Sequence, residues 1–272
     1  MKDVIVCETL DGFHASFGRG DRCTRCTIGP VNRKSPFSYV CNACGLCCRN
    51  KVITLSPYDV IQLARAAGVS TREAIDCFTI RRGSILNFTD AGACVALDGS
   101  RCGVHRGRPL ACRLYPLGIE RARDADGEKF VMLEPAAGSL GVYGVDGTVN
   151  DFVEAQGTGP YLEANARYAS LLAIFRDRIA ATVDFDRVEP REFWRRAARG
   201  ALAESNYDAN PLIDAMFDAD GAESVLVDDQ ELIAAHIERL DAMIRHESNA
   251  EVLAAAAVML AVSLGYSPNE VQ

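Results

Sequence analysis

The spacing of apolar and polar positions divides the chain into short, heavily punctuated elements before about residue 120 and long helical ones after it. "NKVITL" predicts a short strand, with β-branched Val52, Ile53 and Thr54. Ser56 then caps a helix with Pro57 at its first position, Val60, Ile61 and Leu63 on one face, and Gly68 as the stop. A second helix starts at Ser70, where Glu73 completes a capping box and Ile75 and Phe78 face inward. "GACVALDGSRCGVH" predicts two short extended segments around a turn at Asp98-Gly99, with one cysteine on each arm. "GRPLACRLYP" predicts one helical stretch opened by Pro109, carrying Cys112, and ended before Pro116. Helices are expected over Val149–Asp177, Pro190–Arg199, Asp228–Arg245 and Ala250–Leu264. In the third, Leu232, Ile233, His236, Ile237, Leu240 and Ile244 form an apolar stripe. "MLEPAAGSLGVYGVDGTVNDF" is glycine-rich but lacks the strand, G-x-G-x-x-G and helix order of a dinucleotide site, so its glycines are assigned to turns. The expected class is α+β, a small cysteine-rich module of short strands and helices followed by a mainly α-helical second half. The division falls within 118–128, giving segments 1–120 and 121–272.

Composition adds a compartment and a charge map. With 272 residues and 49% hydrophobic content the chain can bury a substantial core without disulfides. The start, "MKDVIVCETLDGF", lacks a signal-peptide apolar region. The longest apolar stretch, Val252 to Gly265, is shorter than the roughly 18–20 residues that cross a bilayer. A cytoplasmic protein without a membrane segment is therefore expected, and in that reducing setting eleven cysteines point to metal binding or catalysis. The net charge of −8 argues against nucleic acid as a partner. Between Arg19 and Ile119, however, fifteen Lys and Arg face six Asp and Glu. Either cysteine thiolates cancel this excess, or it is a solvated basic face for an acidic protein partner.

Ten of the eleven cysteines lie between Cys23 and Cys112. Sulfur is a soft ligand that selects zinc or iron–sulfur centres, and two cysteines three apart reach one centre through a tight turn. Cys41, Cys44 and Cys47 make two overlapping C-x-x-C steps, as a bacterial ferredoxin run begins. Cys48 is adjacent, so it is expected to reach a second metal or another iron of one cluster. Cys94, Cys102 and Cys112 are expected to fold back over the turn; seven thiolates exceed a single zinc site. Cys23 and Cys26 form a further C-x-x-C that either joins this centre or holds its own. Cys7 and Cys77 read as small buried hydrophobes. His105 beside Cys102 reads as a ligand or a hydrogen-bonding side chain, while His14, His236 and His246 lack ligand spacing.

"CNACGLCC" followed by "GACVALDGSRCGVHRGRPLACRLYP" resembles the CxxCxxCC or YkgJ-type cysteine-cluster family, whose members are described as zinc- or iron-chelating and related to the cysteine module of flagellin lysine-N-methylases. The resemblance covers about residues 38 to 118. It implies metal ligation by Cys41, Cys44, Cys47, Cys48, Cys94, Cys102 and Cys112, with Arg108, Pro109, Arg113, Tyr115 and Pro116 as the accompanying motif. Longer members resemble "VNDFVEAQGTGPYLEANARYASLL" as well and carry a cysteine just before it; "EPAAGSLGVYG" has none, leaving Cys23 or Cys26 as a replacement. Arg108 and Arg113, with Tyr115, are the cofactor-side candidates: the arginines either donate to cluster sulfurs or compensate thiolate charge, or they pair with carboxylates elsewhere. The expected cofactor is an iron–sulfur cluster, used in redox or protein-modification chemistry. The alternative is zinc stapling a protein-interaction module without catalysis.

Overall fold

The structure is a computed structural model that describes residues 30–80, 83–121, 128–203 and 228–266. In chain order its strands are β1 (Pro30–Val31), β2 (Pro36–Val40), β3 (Thr79–Ile80), β4 (Ile85–Leu86), β5 (Leu97–Asp98), β6 (Arg101–Cys102), β7 (Leu117–Arg121), β8 (Glu128–Met132) and β9 (Val142–Thr148). The helices are α1 (Pro57–Ala67), α2 (Thr71–Phe78), α3 (Leu110–Leu114), α4 (Val149–Ala155), α5 (Gly159–Thr182), α6 (Pro190–Ala203), α7 (Asp229–His246) and α8 (Ala250–Ser263). Short sheets dominate the first part and helices the second, so the class is α+β.

Local chemistry sets the first helices. Ser56 accepts from the Asp59 N–H while the Asp59 carboxylate accepts from the Ser56 N–H, a complete capping box that starts α1. Ser70 and Glu73 repeat it at α2. The strand expected over "NKVITL" shrinks to one bridge, Thr54 with Ile85. Its partner β4 is two residues long and α1 begins at Pro57, so the ladder has no room to extend.

All strand pairings are antiparallel: β8 lies between β1 and β7, and β2 pairs with β9. The glycine-rich stretch assigned to turns thus contains a seven-residue strand. Close packing explains this: a Cβ on Gly141 would lie 2.2 Å from Tyr39 Oη on the paired strand. The single helix expected over 149–177 breaks into α4 and α5 because Gly157 turns left-handed at φ 63°, a geometry a side chain disfavours. The other long helices fall where expected, within a few residues at each end.

The main core draws on both parts of the chain. Phe37, Tyr58, Ile61, Leu110, Leu114, Leu117 and Phe130 pack with Tyr168, Leu171, Ile233, Leu240, Leu253 and Val258. Four of the stripe residues on α7, Leu232, Ile233, Leu240 and Ile244, are buried with His236, and Ile237 is partly buried. His236 accepts or donates at 2.8 Å to the Tyr168 hydroxyl. Asp229 on α7 takes bonds from α1 through Tyr58 Oη (3.1 Å), Gln62 Nε2 (2.8 Å) and Arg65 (2.6 Å). A smaller cluster of Leu55, Val60, Leu63, Leu86, Ala96 and Val104 includes Cys94 and is flanked by Cys48 and Cys102. Among the described residues no helix is long and apolar enough to cross a membrane.

Candidate metal centre

Three segments carry the cysteines to one place. The first is the 41–50 turn, where Gly45 is left-handed at φ 72°; a bond from the Cys48 N–H to the Gly45 carbonyl (3.1 Å) closes a 3-10 turn over Leu46–Cys48. The second is the 92–105 segment. The Cys94 N–H donates to the Cys48 carbonyl at 2.8 Å, which ties the two segments together, and the hairpin β5–β6 presents Cys102 opposite Leu97. Cys94 itself precedes β5 and bridges Phe88. The third is α3, bearing Cys112.

Cys41, Cys44, Cys47, Cys48, Cys94, Cys102 and Cys112 all line one cavity of about 1290 Å³. Cys47 and Cys48 are nearest neighbours there, with Sγ atoms 3.8 Å apart. Among the described residues no three His, Cys, Asp or Glu side chains form a group that would hold a metal ion as placed. Cys77 is exposed rather than buried and is outside that lining. Cys7, Cys23 and Cys26 lie outside the described residues.

Exposure grades the thiols. Cys41 is exposed at the rim. The Cys44 thiol is pulled down chiefly by a backbone hydrogen bond from Leu140, next to β9. Within the adjacent pair the hydrogen bond pulls Cys47 down and pushes Cys48 up, with Lys51 and Arg108 further favouring the Cys47 thiolate. Burial raises Cys94, Cys102 and Cys112. Lys51, Arg101, Arg108, Arg113 and Lys129 line the cavity against one carboxylate, Asp59.

Besides the Arg108 charge that favours the Cys47 thiolate, both arginines hydrogen-bond to neighbouring segments. Arg113 donates to backbone carbonyls, Nε to Arg108 (3.1 Å) and Nη1 to Gln156 (2.8 Å), with a further bond to Arg106, and its guanidinium lies 4.7 Å from the Tyr161 ring centre. Arg108 donates to Gln156 Oε1 at 2.6 Å and to the His105 ring. His105 lines the cavity, and burial together with the Arg108 charge holds its pKa below the ordinary value, so the ring accepts as neutral imidazole. The arginines thereby tie the α3 segment to the end of α4. Tyr115 lines the cavity in edge-to-face contact with Tyr39 of β2, which lines it too and whose ring in turn meets Tyr143 of β9.

Three contributors were not singled out from sequence. Gln156 offers no pattern by itself. Tyr39 sits in a strand whose partner was read as turns. Asp59 looks like a first-turn acid of a helix, and only its third bond gives it a further place: it is 2% exposed, and its Oδ1 accepts from the Leu110 N–H at 2.8 Å.

Residues 40–132 match the family model described as "CxxCxxCC: Putative zinc- or iron-chelating domain". Neither the curated proteins nor the solved structures contain a match to the chain.

Proposed function

We propose that this chain, carrying a CxxCxxCC domain over residues 40–132, holds an iron–sulfur cluster through thiolates drawn from Cys41, Cys44, Cys47, Cys48, Cys94, Cys102 and Cys112. One observation carries the reading: seven cysteines from three separated segments line a common cavity, more than the four that one tetrahedral ion takes. A lone ion needs its sulfurs about 2.3 Å away on every side. A cluster with its own inorganic sulfide fills a wider ring of the same donors. The charge agrees with this at Cys47, where Lys51 and Arg108 favour the thiolate, the form that binds metal. Such a centre supplies electron transfer or supports modification of a protein substrate. The exposed Cys41 puts its rim within reach of a partner.

Zinc is the second reading, and the Cys47–Cys48 pair favours it. Two corners of a tetrahedron with bonds of about 2.3 Å lie about 3.8 Å apart, which is the separation of these Sγ atoms. Anaerobic purification followed by elemental and sulfide analysis decides. A brown protein with stoichiometric iron and acid-labile sulfide is expected; a colourless one holding zinc and no sulfide overturns the cluster and leaves the zinc module.

A further inference from the structure

The α3 helix has five residues, too few to persist by its own hydrogen bonds. Yet it must present Cys112 at a fixed place in the cavity wall. What fixes it at its first turn is a side chain 51 positions earlier. Asp59 Oδ1 accepts from the Leu110 N–H at 2.8 Å, while Oδ2 accepts from the Ser56 N–H (2.8 Å) and the Ser56 hydroxyl (2.9 Å). A carboxylate suits these three donors because it only accepts; an asparagine would turn an NH₂ group toward one of them. Asp59 is 2% exposed, so these bonds work without competition from water. Among the described residues it is also the only carboxylate in the cavity lining.

We propose that Asp59 is a positioning residue for the metal centre: its bond to Leu110 holds α3 so that Cys112 faces the other thiols. This rests on the metal reading above. The bond joins the helix that packs against α7 to the segment that completes the thiol ring, so the centre is set by the core and not by its own loop alone. Ser56 shares the cap of α1 with Asp59, whereas the Leu110 N–H is bound by Asp59 Oδ1, which separates the two duties of Asp59.

The test uses full-length protein purified anaerobically with its metal. The rate of metal transfer to a colorimetric chelator is read for wild type, Asp59→Asn and Ser56→Ala, together with iodoacetamide labelling of Cys112 mapped by mass spectrometry. Asp59→Asn is expected to release metal about tenfold faster or more, as the loss of one charge-assisted hydrogen bond implies. Cys112 should become labelled in the loaded protein, while Ser56→Ala stays near wild type on both readouts. Should Asp59→Asn fail to fold, Leu110→Pro and Leu110→Ala decide. Both trim the side chain, but proline alone removes the N–H at a first helical position that tolerates it, and Pro109, at φ −55° and ψ 157°, already has the backbone that must precede a proline. Faster release in Leu110→Pro than in Leu110→Ala supports the role; equal rates overturn it. Wild-type protein that holds no metal overturns the metal reading itself. Metal-loaded wild type and Asp59→Asn with the same release rate and the same Cys112 labelling overturn only the assignment of Asp59.

Discussion

Gly107→Ala tests how closely the cysteine segment is fitted to its support. A Cβ at Gly107 would lie 1.9 Å from the Gln62 carbonyl oxygen, 2.7 Å from its carbon and 2.6 Å from Ala66 Cβ. These atoms belong to the middle of α1, whose backbone cannot yield locally, so the 105–107 turn must back away. Overpacking of this kind costs roughly 1–3 kcal/mol, and an overlap of over an ångström with helix backbone puts Gly107→Ala at the upper end. At about 2–4 °C per kcal/mol for a domain of this size, the melting temperature should fall by roughly 6–12 °C. Gly99→Ala is the comparison: its added Cβ meets nothing within 4 Å, so only its φ of 59° matters, worth about 1–2 kcal/mol. Thermal melts of the purified variants by circular dichroism measure both. A Gly107→Ala loss no larger than that of Gly99→Ala would refute the fit. Because residues 105–108 lead directly into α3, Gly107→Ala should also speed metal loss, whereas Gly99→Ala changes only the hairpin turn.

Further outcomes follow from the same structure. Cys44→Ser and Cys112→Ser should each lower bound metal, while Cys77→Ala, exposed and outside the cavity, should keep the wild-type content; equal loss in all three contradicts the proposed set. Glu73 closes the cap of α2 with its pKa held down, chiefly by the Ser70 backbone N–H, so its contribution is present above the ordinary glutamate pKa and lost as pH falls through the lowered folded value. The stability gap between wild type and Glu73→Ala in melts should therefore be full at pH 7 and narrow as the pH falls below the ordinary glutamate range, and a gap that does not narrow in acid would sink the capping account. Tyr168→Phe removes the 2.8 Å bond to buried His236 and should cost about 1–3 kcal/mol in denaturant titration; a neutral result would mean that His236 is satisfied without it.

The sequence disclosed those parts of the fold that rest on contacts within a few residues. Ser56 with Pro57, Ser70 with Glu73, and the stripe on α7 all follow from spacing, because caps and helical faces are local. The C-x-x-C steps were visible for a related reason, since their spacing is local, and the seven cysteines expected to fold together line one cavity. Pairings across long stretches were hidden. Strand β9 has no strand-like alternation of its own and is held by β2, 104 residues earlier in the Tyr39–Tyr143 pairing. Asp59 looked like a first-turn acid because its bond to Leu110 depends on how α1 and α3 meet in space. Arg113 binds the Arg106 and Arg108 carbonyls before α3 and the Gln156 carbonyl at the end of α4, whose position depends on the break at Gly157. That break had a signal, since "GTGP" holds two glycines and a proline.

The part of the lining contributed by Ser139, Phe152 and Gln156 bears on how this cysteine unit can be inherited. A fragment cut at residue 132 would keep every thiol that faces the cavity, yet forfeit Ser139 and Gln156 from its lining and Tyr143 from its contact with Tyr39. It would be a vessel with one side missing. Transplanting the cysteine pattern onto another protein therefore requires a substitute flank, and the downstream chain is as much a part of the container as the sulfurs are.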